Sequence, residues 1–340
     1  MGRSRSVGAL GAILVAGALL TACGSNSGAT ITLYNGQHPQ TTEALVNAFE
    51  HESGITVQVR NDDEDVFANQ IVAEGARSPA DVIYTENSPP LEFLQQKHLL
   101  APVAPSTLDH VPSKYNSPTG DWVGVSARVS VMIYNTTLLK ADQLPASALD
   151  LADPQWKGKL AIAAGETDFQ PIVSSVIRTN GEAAALRWLE ALKANAGSHV
   201  YPDNETITSV VNSGQAAIGI INQYYWYREQ VNVGASGMHS AIAYFAPGDV
   251  GYVINVSGAA VLKSSKHQAD AQKFLAFVTS KQGQEIIGHG DSWEYPIGSG
   301  VSITPRGEVP LAQLRANPIT VAELGDGAAA VALLQKVQLL

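Results

Sequence analysis

The 340-residue chain is predicted to be a two-lobed α/β protein with a ligand cleft between its lobes. Three observations lead there. Strand and amphipathic-helix patterns alternate along the chain. The length that follows an N-terminal export signal suits two lobes of roughly 150 residues each. Polar residues of matching chemistry stand just after three predicted strands, where open α/β sheets hold their ligands.

The first elements alternate regularly. "ATITLYN" (29–35) is a β-branched strand bounded by Gly36. "TTEALVNAFEHESG" (41–54) carries Ala44, Leu45, Ala48 and Phe49 at helical spacing, with Gly54 as its C-cap. "ITVQVR" (55–60) alternates as a strand, and "DVFANQIVAEG" (65–75) is helical with Val66, Phe67, Ile71 and Val72 on one side. "ADVIYTE" (80–86) is a short buried strand and "PLEFLQQKHLL" (90–100) another helix. This β-α-β-α-β order predicts a largely parallel sheet covered on both faces. A second series begins near residue 127. It comprises strand "RVSVMIYN" (128–135), loop and strand "WKGKLAIAA" (156–164), helix 182–197, short helix 206–214 and buried strand "QAAIGIIN" (215–222). Strand region 252–265 and one long amphipathic helix over 267–287 follow. No internal repeat is evident.

The N-terminus has a separate purpose. Arg3 and Arg5 precede an apolar stretch over 7–20 that ends in "LTAC", which predicts an export signal over 1–22. The small residues before Cys23 fit a bacterial lipoprotein cleavage site. Cys23 would become the lipidated N-terminus, followed by the flexible tether "GSNSG" (24–28). Cys23 is the one cysteine, so no intramolecular disulfide is expected. The formal charge is −10, and loss of the signal with its two arginines makes it −12. That balance argues against nucleic acid or an anionic lipid surface as partner and is compatible with a cationic ligand.

His38 follows strand 29–35, Glu86 follows strand 80–85, and Tyr224 and Tyr225 follow strand 215–222. In a continuing strand the two tyrosines would face opposite ways; if the backbone leaves the strand, both phenols can reach one point. One imidazole, one carboxylate and two phenols suit a hard trivalent cation. Ordinary phenol has a pKa near 10, so a strong Lewis acid is needed to displace its proton. Two phenolates and a carboxylate neutralise Fe³⁺, whereas zinc and calcium sites have no need of two phenols. Taken one at a time, each residue also has an ordinary role: a loop histidine, an acid at a helix start, an aromatic core cluster.

The motifs "ITLYNGQH", "SPADVIYTEN", "WKGKL", "INQYYWY", "VSGAAVLKSS" and "EYPI" closely resemble the periplasmic ferric-ion-binding proteins of bacterial iron ABC transporters, often called bacterial transferrins. The resemblance runs from about residue 30 to residue 297. It implies a type II, transferrin-like periplasmic-binding-protein fold with a hinged interlobe cleft. It divides the chain into one lobe of 29–127 with 255–300 and another of 128–254 with 301–340. Hinge strands would cross near 126–129 and 253–257. By the same resemblance His38, Glu86, Tyr224 and Tyr225 are the iron ligands. Asn87, Arg128, Thr167, Asn204 and Asn222 fall at or near positions that hold a synergistic anion. Where the family pattern has a small-residue turn for phosphate, this chain has "ETD", Glu166 to Asp168. Two carboxylates there would repel phosphate, which leaves carbonate, water or another anion. Arg128 is either a carbonate contact or a surface or interlobe salt bridge. The acids of "DDED" (62–65) are expected to be a solvated helix start.

The resemblance therefore implies an exported carrier rather than an enzyme. It would be a monomer, lipid-anchored to the outer face of the cell membrane in the periplasm or cell-wall space, passing Fe³⁺ to an ABC permease. The same fold retuned for a polyamine or an anion is the alternative. A metal-dependent hydrolase using Glu166 or Asp168 as base is a weaker one, because no hydrolase spacing accompanies them.

Overall fold

The computed structural model describes residues 1–2, 29–305 and 307–340. The signal segment beyond residue 2, Cys23 and the tether lie outside the described residues. Among the described residues there are nine strands: β1 (Thr30–Gly36), β2 (Thr56–Asn61), β3 (Val82–Thr85), β4 (Val123–Asn135), β5 (Leu160–Ala161), β6 (Ile218–Asn222), β7 (Ser240–Ala243), β8 (Ile254–Val261) and β9 (Tyr295–Pro296). Their order is β2-β1-β3-β8-β4-β6-β5, with β7 and β9 also paired to β4.

β4 joins the two lobes. Its first half pairs antiparallel with β8, from Val123↔Ala259 to Val129↔Ile254. Its second half pairs antiparallel with β6, from Ser130↔Asn222 to Tyr134↔Ile218. The partner changes between Val129 and Ser130, next to the end of β8, where Ser130 N donates to Val253 O at 3.0 Å. β4 begins five residues earlier than its apolar pattern predicts, because Gly124, Ser126 and Arg128 interrupt that pattern while remaining in the ladder. The sheet is mixed. The expected parallel pairing holds for β2-β1-β3 and for β5-β6; β3 against β8 is antiparallel.

Each lobe buries helices against its part of the sheet. The helix Glu182–Ala196 buries Ala185, Trp188, Leu189 and Leu192, an i, i+3, i+4, i+7 stripe, and Trp188 stacks on Phe169 at 6.1 Å. In the other lobe Phe49 of the helix Pro39–Ser53 meets Phe274 edge-on at 5.2 Å. The helices near the C-terminus, Val321–Leu324 and Ala328–Lys336, pack on the Gln170–Asn180 helix.

Several local expectations are corrected. The helix expected over 267–287 is two, Gln268–Val278 and Lys281–His289. Thr279 Oγ1 turns back onto Leu275 O at 2.8 Å, Ser280 caps the second helix, and a side chain at Gly283 would collide with the carbonyl of Phe277. The helix expected over 90–100 is Pro89–Gln96, ended by His98 at φ 57°. In the helix Glu64–Glu74, Phe67 and Ile71 are buried but Val66 and Val72 are exposed. Its "DDED" start is solvated at Asp62 and Asp63, but Glu64 is buried.

Candidate metal centre

The first ligand candidate comes from a tightly built turn. At the end of β1, Asn35 accepts from Gln37 N (3.2 Å) and Thr42 Oγ1 (2.8 Å) and donates to Gln37 O (2.7 Å). Gly36 allows the helix Glu64–Glu74 to approach, since a Cβ there would lie 2.6 Å from Glu64 Cβ. The chain then starts the Pro39–Ser53 helix with His38 as N-cap and Pro39 in the first turn. Glu86 follows β3 directly, and its Oε1 lies 3.4 Å from His38 Nε2.

The other lobe supplies the phenols. β6 ends at Asn222, and the helix Gln223–Val233 begins at once, so Tyr224 and Tyr225 stand in its first turn. Gln223 fixes this start, its Oε1 accepting from Val129 N (2.8 Å) and its Nε2 donating to Trp293 O (3.0 Å). The two rings lie side by side, centroids 4.2 Å apart, and both are buried. The phenols do converge. Tyr224 donates to Glu86 Oε1 at 2.5 Å and lies 3.2 Å from Asp168 Oδ2; Tyr225 lies 3.1 Å from the same Oδ2 and 3.1 Å from Glu166 Oε1. Side chains from three strand ends therefore come together between the lobes, His38 against Glu86, Glu86 against Tyr224, and both phenols against Asp168. A cleft of about 600 Å³ opens beside them, lined by 35–39, 61–66 and Glu86 on one side and by 165–167 and 202–203 on the other.

Glu166 and Asp168 were expected to repel an anion. Here they hold the phenol hydroxyls instead. Their charge was legible in the sequence, but the donors facing them were not. Thr167 faces the opposite lobe, where Asn87 Nδ2 donates to its Oγ1 at 3.2 Å. Asn87 is otherwise held by Glu64 (2.8 and 2.7 Å) and by Asn255 Nδ2. Asn204 donates to Asp168 Oδ2 at 3.3 Å, while the buried Nδ2 of Asn222 has no hydrogen-bond partner among the described residues.

Arg128 is buried completely within β4, not a surface group. It lies 3.0 Å from Glu294, 3.5 Å from Asp168 and 3.7 Å from Glu86, so it links residues of both lobes. A buried guanidinium requires such partners. Glu294, in the "EYPI" motif, had no assigned role in the sequence reading. It is fully buried and accepts from Gln37 Nε2, Ser126 Oγ and Arg128 Nη1. Among the described residues, one ligand atom each of His38, Glu86 and Glu294 lie within 4.8 Å of one another. Arg228 places its guanidinium 4.5 Å from the Tyr224 ring centroid. Its available signal was an arginine four residues past Tyr224, on the same helix face.

The electrostatics suit a cation. Burial, then Arg228 and Arg128, push the His38 imidazole well below its ordinary pKa, so it is neutral and free to coordinate. Burial, Asp168 and Glu86 push Tyr224 well above the ordinary phenol range; burial, Asp168 and Tyr224 do the same for Tyr225. Asp168 is raised by burial and Glu86 against the pull of Arg128, and Glu166 is raised by burial and Asp168. Burial opposes the charge of Arg128, but Glu86, Asp168 and Glu294 hold it above its ordinary value. A hard cation arriving among these groups would replace phenol protons and relieve carboxylate repulsion together.

Comparison with known proteins agrees with this chemistry. Residues 77–309 match the family described as bacterial extracellular solute-binding protein. The chain is 39% identical over 316 residues to the Fe(3+)-binding periplasmic protein of Serratia marcescens, covering 92% of this chain and 93% of that one. It is 36% identical to the major ferric iron-binding protein of Neisseria meningitidis serogroup A, covering 91% and 92%. The crystal structure of iron-bound HitA from Pseudomonas aeruginosa superposes with a TM-score of 0.87 at 40% identity, covering 91% of this chain and 99% of that one. These relatives are transport proteins, not enzymes, and their fold is the two-lobed, transferrin-like one. The chain belongs to the bacterial extracellular solute-binding proteins, within the group formed by the periplasmic ferric-ion-binding proteins.

Proposed function

We propose that this protein captures ferric iron in its interlobe cleft and delivers it to an ABC permease. The observation that carries the reading is the convergence of two buried phenols, from one helix turn, on carboxylates of both lobes. Tyr224 and Tyr225 would bind as phenolates, Glu86 as a carboxylate and His38 through its Nε2. Asp168 stands close enough to both phenol oxygens to join this set. Its carboxylate also lies against Asn204, so it takes up polar contacts and negative charge that a synergistic anion would otherwise bring. This disfavours phosphate and leaves room for carbonate or another small anion beside Arg128.

The lobes would be 29–127 with 255–300 and 128–254 with 301–340, hinged where β4 changes partner. Contacts across the cleft, Asn87 with Thr167 and Gln170 Nε2 with Asp65 Oδ2 (3.4 Å), would be made on closure and lost on opening. Residues 1–22 would direct export, and Cys23 would carry a lipid that holds the monomer to the outer face of the cell membrane. The acidic lining of the cleft favours cations and supports a polyamine as the second reading.

The test is a titration of the metal-free protein with a ferric salt while the visible spectrum is recorded. Phenolate bound to Fe³⁺ is expected to produce a charge-transfer band that is absent from a variant carrying Tyr224→Phe and Tyr225→Phe. A folded protein that stays colourless, yet binds a polyamine, would replace this reading with the second.

A further inference from the structure

We propose that Gln37 and Glu294 form a positioning relay that holds His38 in its Nδ1–H tautomer and so presents a bare Nε2 to the cleft. The inference rests on the ferric reading of the site. It begins with what each group is able to donate. Glu294 is fully buried, and Arg128 Nη1 and Ser126 Oγ both donate to it at 3.0 Å. Ser126 Oγ also lies 2.6 Å from Ser257 Oγ. A carboxylate held this way only accepts hydrogen bonds. Gln37 is buried as well, and its amide end lies 3.2 and 3.4 Å from the two Glu294 oxygens. The end facing a carboxylate must be the NH₂ group.

That fixes the other end. The Gln37 carbonyl oxygen points at His38, accepting from its backbone N at 2.7 Å and lying 2.5 Å from its Nδ1. An amide oxygen cannot donate, so the proton between them belongs to Nδ1. A neutral imidazole has one proton, which leaves Nε2 with its lone pair, 3.4 Å from Glu86 Oε1 and beside the phenols. The order Arg128–Glu294–Gln37–His38 therefore carries the polarity of a buried ion pair on the hinge strand β4 to a ligand candidate on the turn after β1. If Gln37 served only the turn, its backbone contacts to Asn35 would suffice and the facing carboxylate would be unnecessary.

The test separates this relay from the ferric reading. In metal-free full-length protein labelled with ¹⁵N-histidine, the His38 ring signals are identified by their loss in His38→Gln. The relay predicts a protonated Nδ1 and an unprotonated Nε2 in the wild type. It predicts a shift toward the Nε2–H form in Gln37→Leu and in Glu294→Gln. Ferric affinity in those two variants should fall by up to about 10-fold, no more than loss of His38 itself and at the low end of the usual effect of losing a group that orients a ligating histidine. The charge-transfer band of the loaded protein should keep its position, because the phenols are unchanged. A wild-type Nε2–H tautomer, or a tautomer unmoved in both variants, would overturn the relay even if the protein binds iron. A wild type with the predicted tautomer that binds no iron would keep the relay and sink the ferric reading instead.

Discussion

Tyr224 and Tyr225 reach the centre from the first turn of one helix and are almost wholly buried, whereas His38 and Glu86 reach it from two separate turns and keep 12% and 17% of their side chains exposed. The phenol hydroxyls are directed at Asp168, Glu166 and Glu86. The histidine half lies at the cleft wall, where water reaches it. If the proposed ferric reading holds, the contrast gives the two lobes different tasks: one would keep the protons and the strong donors, and the other would close on the cation and let it go.

The contrast is broken most easily at the phenols. Tyr224→Phe or Tyr225→Phe should lower ferric affinity roughly 1000-fold, since removing one partner from a buried charged set costs about 3–5 kcal/mol. Equilibrium competition against a ferric chelator measures this. An equal loss in His38→Gln would remove the distinction between the halves.

The second effect is on pH. Both phenol pKa values are raised, first by burial and then by Asp168, so the phenols are protonated in the metal-free protein at neutral pH. Binding as phenolates releases both protons, and affinity should fall as pH falls, by ~100-fold per pH unit for two protons. Proton release in weakly buffered solution, counted per iron bound, checks the number; release of none would contradict it.

A smaller loss is expected at the exposed half. His38→Gln and Glu86→Gln should each lower affinity roughly 10-fold and quicken iron release to a chelator, because water takes the place of a partly exposed ligand. The smallest effect lies behind the phenols. Burial pushes the Glu308 carboxyl up to about 8, and Gln223 Nε2 contacts it at 3.5 Å. A raised carboxyl contributes stability below its ordinary range that is lost as pH rises through about 8. Glu308→Gln should therefore raise the Tm of the metal-free protein at pH 9 and leave it little changed at pH 5, at about 2–4 °C per kcal/mol. Iron affinity should not move.

The ligand candidates were legible because a strand end is a short-range feature. Each of the four lies within a few residues of an apolar run that stops abruptly, and strand ends are where open α/β sheets hold their ligands. Asp168 and Glu166 were legible as charges that would disfavour phosphate, but not as partners of the phenols. Charge alone does not show that two phenol hydroxyls will be aimed at it. Glu294 was missed because its partner Arg128 lies 166 residues away. The available signal was Arg128 itself, since an arginine inside an apolar strand needs a buried acid. In the fold, the break at Thr279–Ser280 was also readable, as a serine cap three residues before a glycine, but the apolar stripe on both sides masked it.

The central claim is tested most directly by a crystal structure of the ferric-loaded protein with anomalous data at the iron edge. The account predicts one strong anomalous peak within bonding distance of the Tyr224 and Tyr225 oxygens, Glu86 and His38 Nε2. A peak among His38, Glu86 and Glu294 that leaves both phenols protonated on Asp168, or a peak elsewhere in the cleft, would contradict it.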